Sequence, residues 1–229
     1  MKILFISDIH ANYEALKVLE PYIGTSDFTI CLGDIIGYHC HVNEVIEFLK
    51  TKQVLCIKGN HDLYLLEGME NHTKYLNESV RFGIEIAKKN ITEENYKWLE
   101  NLPTALSLRK EGVSILCCHG SPWDVTNGYV YEDSALIKKM IDFKYDVIAL
   151  GHTHHQYFKT NNGVQIIFNP GSVGQARDQE GLVSAKVLCT KSKTLETIAL
   201  NYNYQEELNY SKSQGAGDWI YKHFKSILN

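Results

Sequence analysis

The sequence predicts an α/β fold, a sandwich of two sheets packed face to face with helices on the outside, and three observations predict it. Apolar runs alternate with helix-period segments through the first 60 residues, a βαβαβ order at the spacing of a parallel sheet with covering helices. Further strand-like runs follow a helical stretch in the middle of the chain. Beyond residue 155 the helical pattern gives way to short strands joined by turn residues. At 229 residues, with 44% hydrophobic and 11% aromatic side chains, the chain is long enough to bury a two-sided core. It contains no linker, internal repeat or low-complexity stretch, so residues 1–229 are expected to form one domain.

The elements follow in order. Residues 2–7 are a continuous apolar strand, and Asn12 to Glu20 is helical with Ala15, Leu16 and Leu19 on one face, limited by Pro21. The strand Phe28 to Leu32 leads into Gly33-Asp34, and His41 to Lys52 is a helix through Val42, Val45, Ile46 and Leu49. A strand over 54–58 delivers Gly59-Asn60-His61-Asp62 as a loop. Two helices are expected between Leu63 and Asn101, the second capped by Thr92. Residues 105–109 and 113–118 form a hairpin around Lys110-Glu111-Gly112, a helix covers roughly Asp133 to Phe143, and Val147 to Leu150 is a strand. Gln156 to Thr160, Val164 to Phe168, Ser184 to Cys189 and Glu196 to Asn201 are expected to form one antiparallel meander. Trp219, Ile220, Phe224 and Ile227 give a helix over about 216–228 an apolar face with which to dock on the surface.

Composition excludes several classes. With 23 Lys and Arg against 27 Asp and Glu, a net charge of −4 and no basic run, a general nucleic-acid surface is not expected. No run of 18 apolar residues offers a membrane span. The start reaches Asp8 and His10 too soon for a secretory signal. Six cysteines form no C-x-x-C pair, and Cys31, Cys56, Cys117 and Cys189 lie inside apolar strands, so a reducing, cytoplasmic setting is expected.

Five strand ends share a chemistry. Asp8-Ile9-His10, Gly33-Asp34, Gly59-Asn60-His61-Asp62, His119-Gly120 and Gly151-His152-Thr153-His154 each put ligand-type side chains where a strand stops. Open parallel sheets gather their sites at such ends. Asp8 and His10 point the same way if strand geometry persists, and His152 and His154 offer the same spacing. Asp34 suits a carboxylate bridging two cations, with Asn60 and His119 completing the second. A mixed Asp, Asn and His set favours Mn, Fe, Ni, Co or Zn with open positions over a structural zinc site. Singly, each is an ordinary loop histidine or helix cap. Together they point to one cluster.

In order and local form these blocks resemble the calcineurin-like metallophosphoesterase superfamily over residues 8–154. Asp8-Ile9-His10-Ala11-Asn12 and Asn169-Pro170-Gly171-Ser172-Val173-Gly174-Gln175 further resemble a small bacterial and archaeal branch to which the YfcE and Vps29 proteins are related. The resemblance implies the metallophosphoesterase type of α/β sandwich and two divalent metal ions, Mn favoured. Asp8, His10, Asp34 and His154 would hold the first ion, and Asp34, Asn60, His119 and His152 the second. It implies hydrolysis of a phosphate mono- or diester by in-line attack of a hydroxide bridging the two ions, with His61 as general acid and Asp62 orienting it. The substrate would be a small phosphorylated compound such as a nucleotide, touched by Asn12, His39 or Arg177, and a homo-oligomer is a candidate assembly. Each contact has a plainer reading. Asn12 can cap the following helix, Arg177 can pair with Asp178 or Glu180, and His39 and His41 can be loop histidines where relatives carry a Gly-Pro type loop. The other function class open to this fold is a metal-binding protein-interaction scaffold of the Vps29 type, against which a complete ligand set and His61 speak.

Overall fold

The computed structural model describes residues 1–72, 76–178 and 182–220. Strand β1 (Lys2–Ile6) is followed by α1 (Tyr13–Lys17), α2 (Glu20–Thr25) and β2 (Phe28–Cys31). Helix α3 (Val42–Thr51) then leads to β3 (Leu55–Cys56), α4 (Asn60–Glu67), α5 (Glu78–Asn90) and α6 (Glu93–Glu100). The hairpin β4 (Ala105–Lys110) and β5 (Val113–Cys118) precedes α7 (Leu136–Lys139), β6 (Val147–Ala149), β7 (Gln156–Asn161) and β8 (Gln165–Pro170). Strands β9 (Leu182–Cys189) and β10 (Thr194–Asn201) and helix α8 (Tyr204–Ser213) complete the described chain.

Two five-stranded sheets result, in the orders β10-β9-β1-β2-β3 and β4-β5-β6-β8-β7. Strands β1, β2 and β3 run parallel in the first, as do β5, β6 and β8 in the second. The continuous apolar runs now have a cause, because both faces of the central strands are covered. Ile3 and Phe5 of β1 point between the sheets, where they meet Ile115, Val147 and Phe168, while Leu4 and Ile6 point outward under α1 and α3. Phe5 and Phe168 meet edge to face at 5.0 Å across the sandwich. Behind the second sheet, Ile148, Leu150 and Ile167 pack against Val130 and Met140.

Several sequence expectations are corrected. The four strands after residue 155 are not one meander: β7 pairs with β8 in one sheet and β9 with β10 in the other. Strand β8 is buried along its whole length and needs a partner on each edge, which β6 and β7 supply. Pro21 does not simply end a helix. It sits in the first turn of α2, where a missing N–H costs nothing. Residues 60–62 open α4 rather than forming a loop, and the helix expected over 133–143 contracts to α7 and a 3₁₀ turn over Met140–Phe143. Helix α8 was not foreseen. The helix expected over about 216–228 lies beyond residue 220 outside the described residues; Ile220 is buried beside Leu208, and Trp219 meets Phe82 edge-on at 5.2 Å. Among the described residues no helix is long and apolar enough to cross a membrane.

Candidate metal centre

The carboxyl ends of the parallel strands of both sheets meet at one edge. Asp8 N–H donates to the Gly33 carbonyl at 3.0 Å, Gly151 N–H to His119 at 2.8 Å, and His119 Nδ1–H to the Leu32 carbonyl across the sandwich at 2.9 Å. At this edge the backbone departs from strand geometry. Asp8, His10, Asp34, His152 and His154 have φ of 54°, 52°, 51°, 68° and 60°. Non-glycine residues seldom adopt this left-handed region, which costs about 1–3 kcal/mol each and concentrates at functional sites. The pairs Asp8/His10 and His152/His154 therefore converge through turns and not through strand alternation. Approach is close enough that a Cβ on Gly59 would lie 2.1 Å from Asp34 Oδ1, so only glycine fits there.

Two groups of donor atoms form around Asp34. In the first, Asp8, His10, Asp34 and His154 each bring one atom within 4.8 Å of the others; in the second, Asp34, His119 and His152 do the same. Asp34 Oδ2 stands 3.7 Å from His10 Nε2 and 3.4 Å from His119 Nε2. His154 Nε2 lies 3.3 Å from Asp8 Oδ1, and His119 Nε2 lies 3.0 Å from Asn60 Oδ1. All seven side chains are buried.

The direction of the lone pairs tests whether cations fit. His10 Nδ1 faces the Ile36 carbonyl at 3.3 Å and His154 Nδ1 the Gln175 carbonyl at 2.7 Å. A carbonyl only accepts, so both rings carry their hydrogen on Nδ1 and present a bare Nε2 to the centre. Those two Nε2 atoms are 3.1 Å apart. Facing lone pairs at that separation repel unless a positive charge lies between them. His119, whose Nδ1 is committed to Leu32, likewise turns Nε2 toward an amide oxygen. Asp8 Oδ1 and His152 Nε2 are buried with no hydrogen-bond partner. Backbone anchoring of the distal ring nitrogen is the usual means of orienting a metal-ligating histidine, and this donor set fits divalent cations.

The electrostatics agree. Burial pushes His10 well below its ordinary range and, with the other histidines, His61 to about 4 and His152 to about 3, so these rings are neutral lone-pair donors at neutral pH. Burial would raise the carboxyls of Asp8 and Asp34, but the surrounding histidines outweigh it and hold both low, in the anionic form. Burial would likewise lower His119, yet Asp34 holds it up at about 10. The proton kept there occupies the place a cation would take, and metal binding would displace it.

The remaining sequence candidates fall in different places. His61 joins the cluster: its ring is 4.7 Å from that of His10 and its Nε2 3.9 Å from Asp34 Oδ2, while its N–H of the backbone donates to Asp34 Oδ1 at 2.9 Å. Asp62 does not hydrogen-bond the His61 Nδ1. Its carboxylate accepts from the amides of Ile35, Ile36 and Gly59 at 3.1, 3.2 and 2.8 Å, stapling the turn after β2 to the start of α4, and burial together with Asp34 pushes it up to about 7. Asn12 and His39 are not brought to the centre. Asn12 caps α1 through Ala15 N–H at 3.0 Å and donates to the Gly174 carbonyl, wholly buried; His39 is buried against Glu207 of α8 at 3.3 Å. Arg177 is exposed at the rim.

One residue lying against the cluster escaped the sequence reading. Tyr38 lies over the cluster with its ring 4.6 Å from His10 and 4.9 Å from His61, and burial pushes its hydroxyl up to about 12 despite the opposing charge of Arg177. Its loop stood out for His39 and His41, whereas the tyrosine beside them faces the site.

Residues 1–193 match the family model of the calcineurin-like phosphoesterase superfamily domain, and the chain belongs to that superfamily of metal-binding phosphoesterases. It is 29% identical over 239 aligned positions to the uncharacterised protein MJ0912 of Methanocaldococcus jannaschii, covering 95% of both chains. A metallophosphoesterase from Sphaerobacter thermophilus shares the fold at a TM-score of 0.80, with 23% identity over 96% of this chain and 97% of that one. The hypothetical protein PH1004 of Pyrococcus horikoshii does so at 0.85, with 17% identity over 96% of each.

Proposed function

We propose that the protein is a dinuclear metal-dependent phosphoesterase. Asp8, His10, Asp34 and His154 would hold one divalent ion and Asp34, Asn60, His119 and His152 the other, with Mn the favoured metal. The observation that carries this reading is the pair of bare His10 and His154 Nε2 atoms facing each other at 3.1 Å beside the shared Asp34. Divalent ions bound there supply Lewis-acid charge to a phosphoryl oxygen and lower the pKa of water toward neutrality. The chain's own residues do the rest. Asp34, fixed by the His61 amide, keeps the two ligand groups in register. Arg177 and Tyr38, within electrostatic reach of each other at the rim, offer a guanidinium and a hydroxyl to non-bridging phosphate oxygens. His61, walled by Tyr38 and Tyr64 with rings at 4.9 and 5.4 Å, is neutral in the free site and would donate to the leaving oxygen the proton it takes up beside a bound anionic phosphate, while the same walls keep bulk water from it. A mono- or diester both suit this layout. The six free thiols, all but Cys189 buried, suit a reducing cytoplasmic setting.

The test combines metal analysis with kinetics on p-nitrophenyl phosphate and bis(p-nitrophenyl) phosphate in Mn²⁺. Turnover of at least one ester is expected, with up to two ions per chain. His61→Ala should retain the metal and lower kcat by about 10²- to 10⁴-fold, the range of a general acid. Equal turnover in that variant removes the assignment of His61; no turnover of any ester, with a stable partner recovered instead, favours the scaffold reading.

A further inference from the structure

A second feature adjoins the cluster where it opens past His152. In Tyr129-Val130-Tyr131 the middle residue is buried among Met140, Ile148 and Leu150 while its two neighbours face outward, the alternation of an extended chain. The two rings are within 9° of parallel, with centroids 6.1 Å apart. Tyr129 lies over His152 at 3.9 Å, and Tyr131 meets His155 edge-on at 5.8 Å. Tyr129 is nevertheless 54% exposed and Tyr131 42%. Two large, near-parallel rings left in water beside ligand-type histidines offer a ligand a surface to stack on.

The charges alongside decide which ligand. From Tyr131 and His155 a groove of about 660 Å³ runs past Glu132, Asp133, Lys159 and Asp178, a size suited to a small organic molecule. Lys159 is engaged by Glu132 at 2.9 Å, and Asp178 accepts from the Gln156 amide. The wall thus carries more carboxylate than cation, and a second or third phosphate placed there would be repelled. A planar neutral group bearing N–H and O–H donors would find rings to stack on and carboxylates to accept its hydrogens. Arg177, within electrostatic reach of both Tyr38 and Tyr129, marks the phosphate end of the line.

We propose that Tyr129 and Tyr131 form a stacking platform for the base of a nucleoside ester carrying a single phosphorus, in preference to a polyphosphate or a sugar phosphate. This assignment of substrate class rests on the phosphoesterase reading above. The platform acts on affinity and orientation, and the chemistry stays with the Asp34 cluster.

The test uses substrate pairs that differ only in the base or nucleoside: AMP against ribose 5-phosphate, and thymidine 5′-(p-nitrophenyl phosphate) against methyl p-nitrophenyl phosphate. Each is assayed with the Mn²⁺-loaded protein, with ADP as the polyphosphate arm. Binding is read separately, from ring-current shifts of the Tyr129 and Tyr131 resonances in the Ca²⁺-loaded protein. The base-bearing partner should have a kcat/KM about tenfold or more higher, carried in KM, as expected for one stacked base. Tyr131→Ala should bring that ratio close to one and Tyr131→Phe should keep it. Equal kcat/KM within each pair without base-dependent shifts overturns the platform while leaving the phosphoesterase reading standing. Base-dependent shifts without hydrolysis of any ester support the platform and remove that reading, and a preference for ADP over AMP overturns the single-phosphorus assignment.

Discussion

Two clusters of histidine and carboxylate lie on either side of the loop 37–41, and their compositions are alike. Around Asp34 the rings turn bare Nε2 atoms toward one another, His10 to His154 at 3.1 Å, and leave Asp8 Oδ1 without a hydrogen bond. Around Glu207 the polar groups face their complements: His41 Nδ1 is 3.0 Å from Oε2, His39 Nδ1 3.3 Å from Oε1, and the Ser211 hydroxyl donates to Oε1 at 2.9 Å. The second cluster pairs its carboxylate with His41 and the Ser211 hydroxyl, and with His39 at longer range, and ties α8 to the loop. The first turns its donor atoms inward, the arrangement that fits a cation. Residue type does not separate a ligand set from an internal ion pair; the direction of donors and lone pairs does.

The largest effect expected from this contrast is at Asp34, the one carboxylate common to both groups of donors. Asp34→Ala should abolish stoichiometric binding of the second ion and lower turnover by about 10³-fold or more, the several kcal/mol that metal charge supplies to a transition state. Elemental analysis and kinetics check it. Full metal content in the variant would break the distinction between the clusters.

Next comes Glu207, where the effect should fall on stability alone. Burial by itself would raise its carboxyl, but His39 and His41 outweigh burial and pull it from the ordinary 4.5 down to about 2. A depressed carboxyl contributes stability that is complete above pH 4.5 and is lost as the pH falls toward 2. The contribution is about 3 kcal/mol at 1.36 kcal/mol per unit. The groups facing it are His39, His41, Ser211, Cys40, Tyr202 and Tyr210. Urea titrations from pH 6 to 3 should show the wild type losing more than half of this increment and Glu207→Gln lacking it throughout, with metal content unchanged. An acid profile identical in both proteins would show that the pair is not an anchor.

The loop between the clusters offers the third test. A Cβ on Gly37 would lie 2.3 Å from His61 Nδ1, and φ there is 110°. Gly37→Ala should cost about 1–3 kcal/mol of stability and, by displacing His61, lower kcat more than it changes metal affinity. Thermal melts and kinetics on one preparation check both halves.

Much of the candidate metal centre was legible because its residues stand immediately after apolar runs, and a sheet brings the carboxyl ends of its parallel strands together whatever the intervening chain does. Asp8, His10, Asp34, Asn60, His119, His152 and His154 needed no knowledge of distant contacts to be found. The Glu207 cluster was not legible, for the opposite reason. Its partner helix α8 begins more than 160 residues after His41, and its buried face of Glu207, Leu208 and Ser211 carries one apolar residue, so no hydrophobic period announces it. Tyr38 was hidden by more conspicuous neighbours. Strands β7 to β10 were found but assigned to one sheet, because a short apolar run shows that a strand exists and not which edge it joins.

The smallest expected effect separates the two readings of Asn12. Its side chain accepts from Ala15 N–H at 3.0 Å and donates to the Gly174 carbonyl at 3.1 Å and the Tyr202 hydroxyl at 3.2 Å, so it braces β1's turn against the glycine-rich link that follows β8. A cap of this kind is worth about 1 kcal/mol. The Gly174 carbonyl and the Tyr202 hydroxyl would lose a partner as well, which adds to the loss when the site stays buried. Asn12→Ala should therefore lower the unfolding free energy by about 1–2 kcal/mol. Asn12→Ser, which keeps a capping oxygen, should recover part of it. Because the side chain is turned from the donor atoms around Asp34, KM should move far less in Asn12→Ala than in Arg177→Ala, whose guanidinium stands at the rim beside Tyr38. Denaturant melts and paired KM values decide between them: a KM shift as large as that of Arg177→Ala, with no loss of stability, would return Asn12 to the substrate side of the molecule.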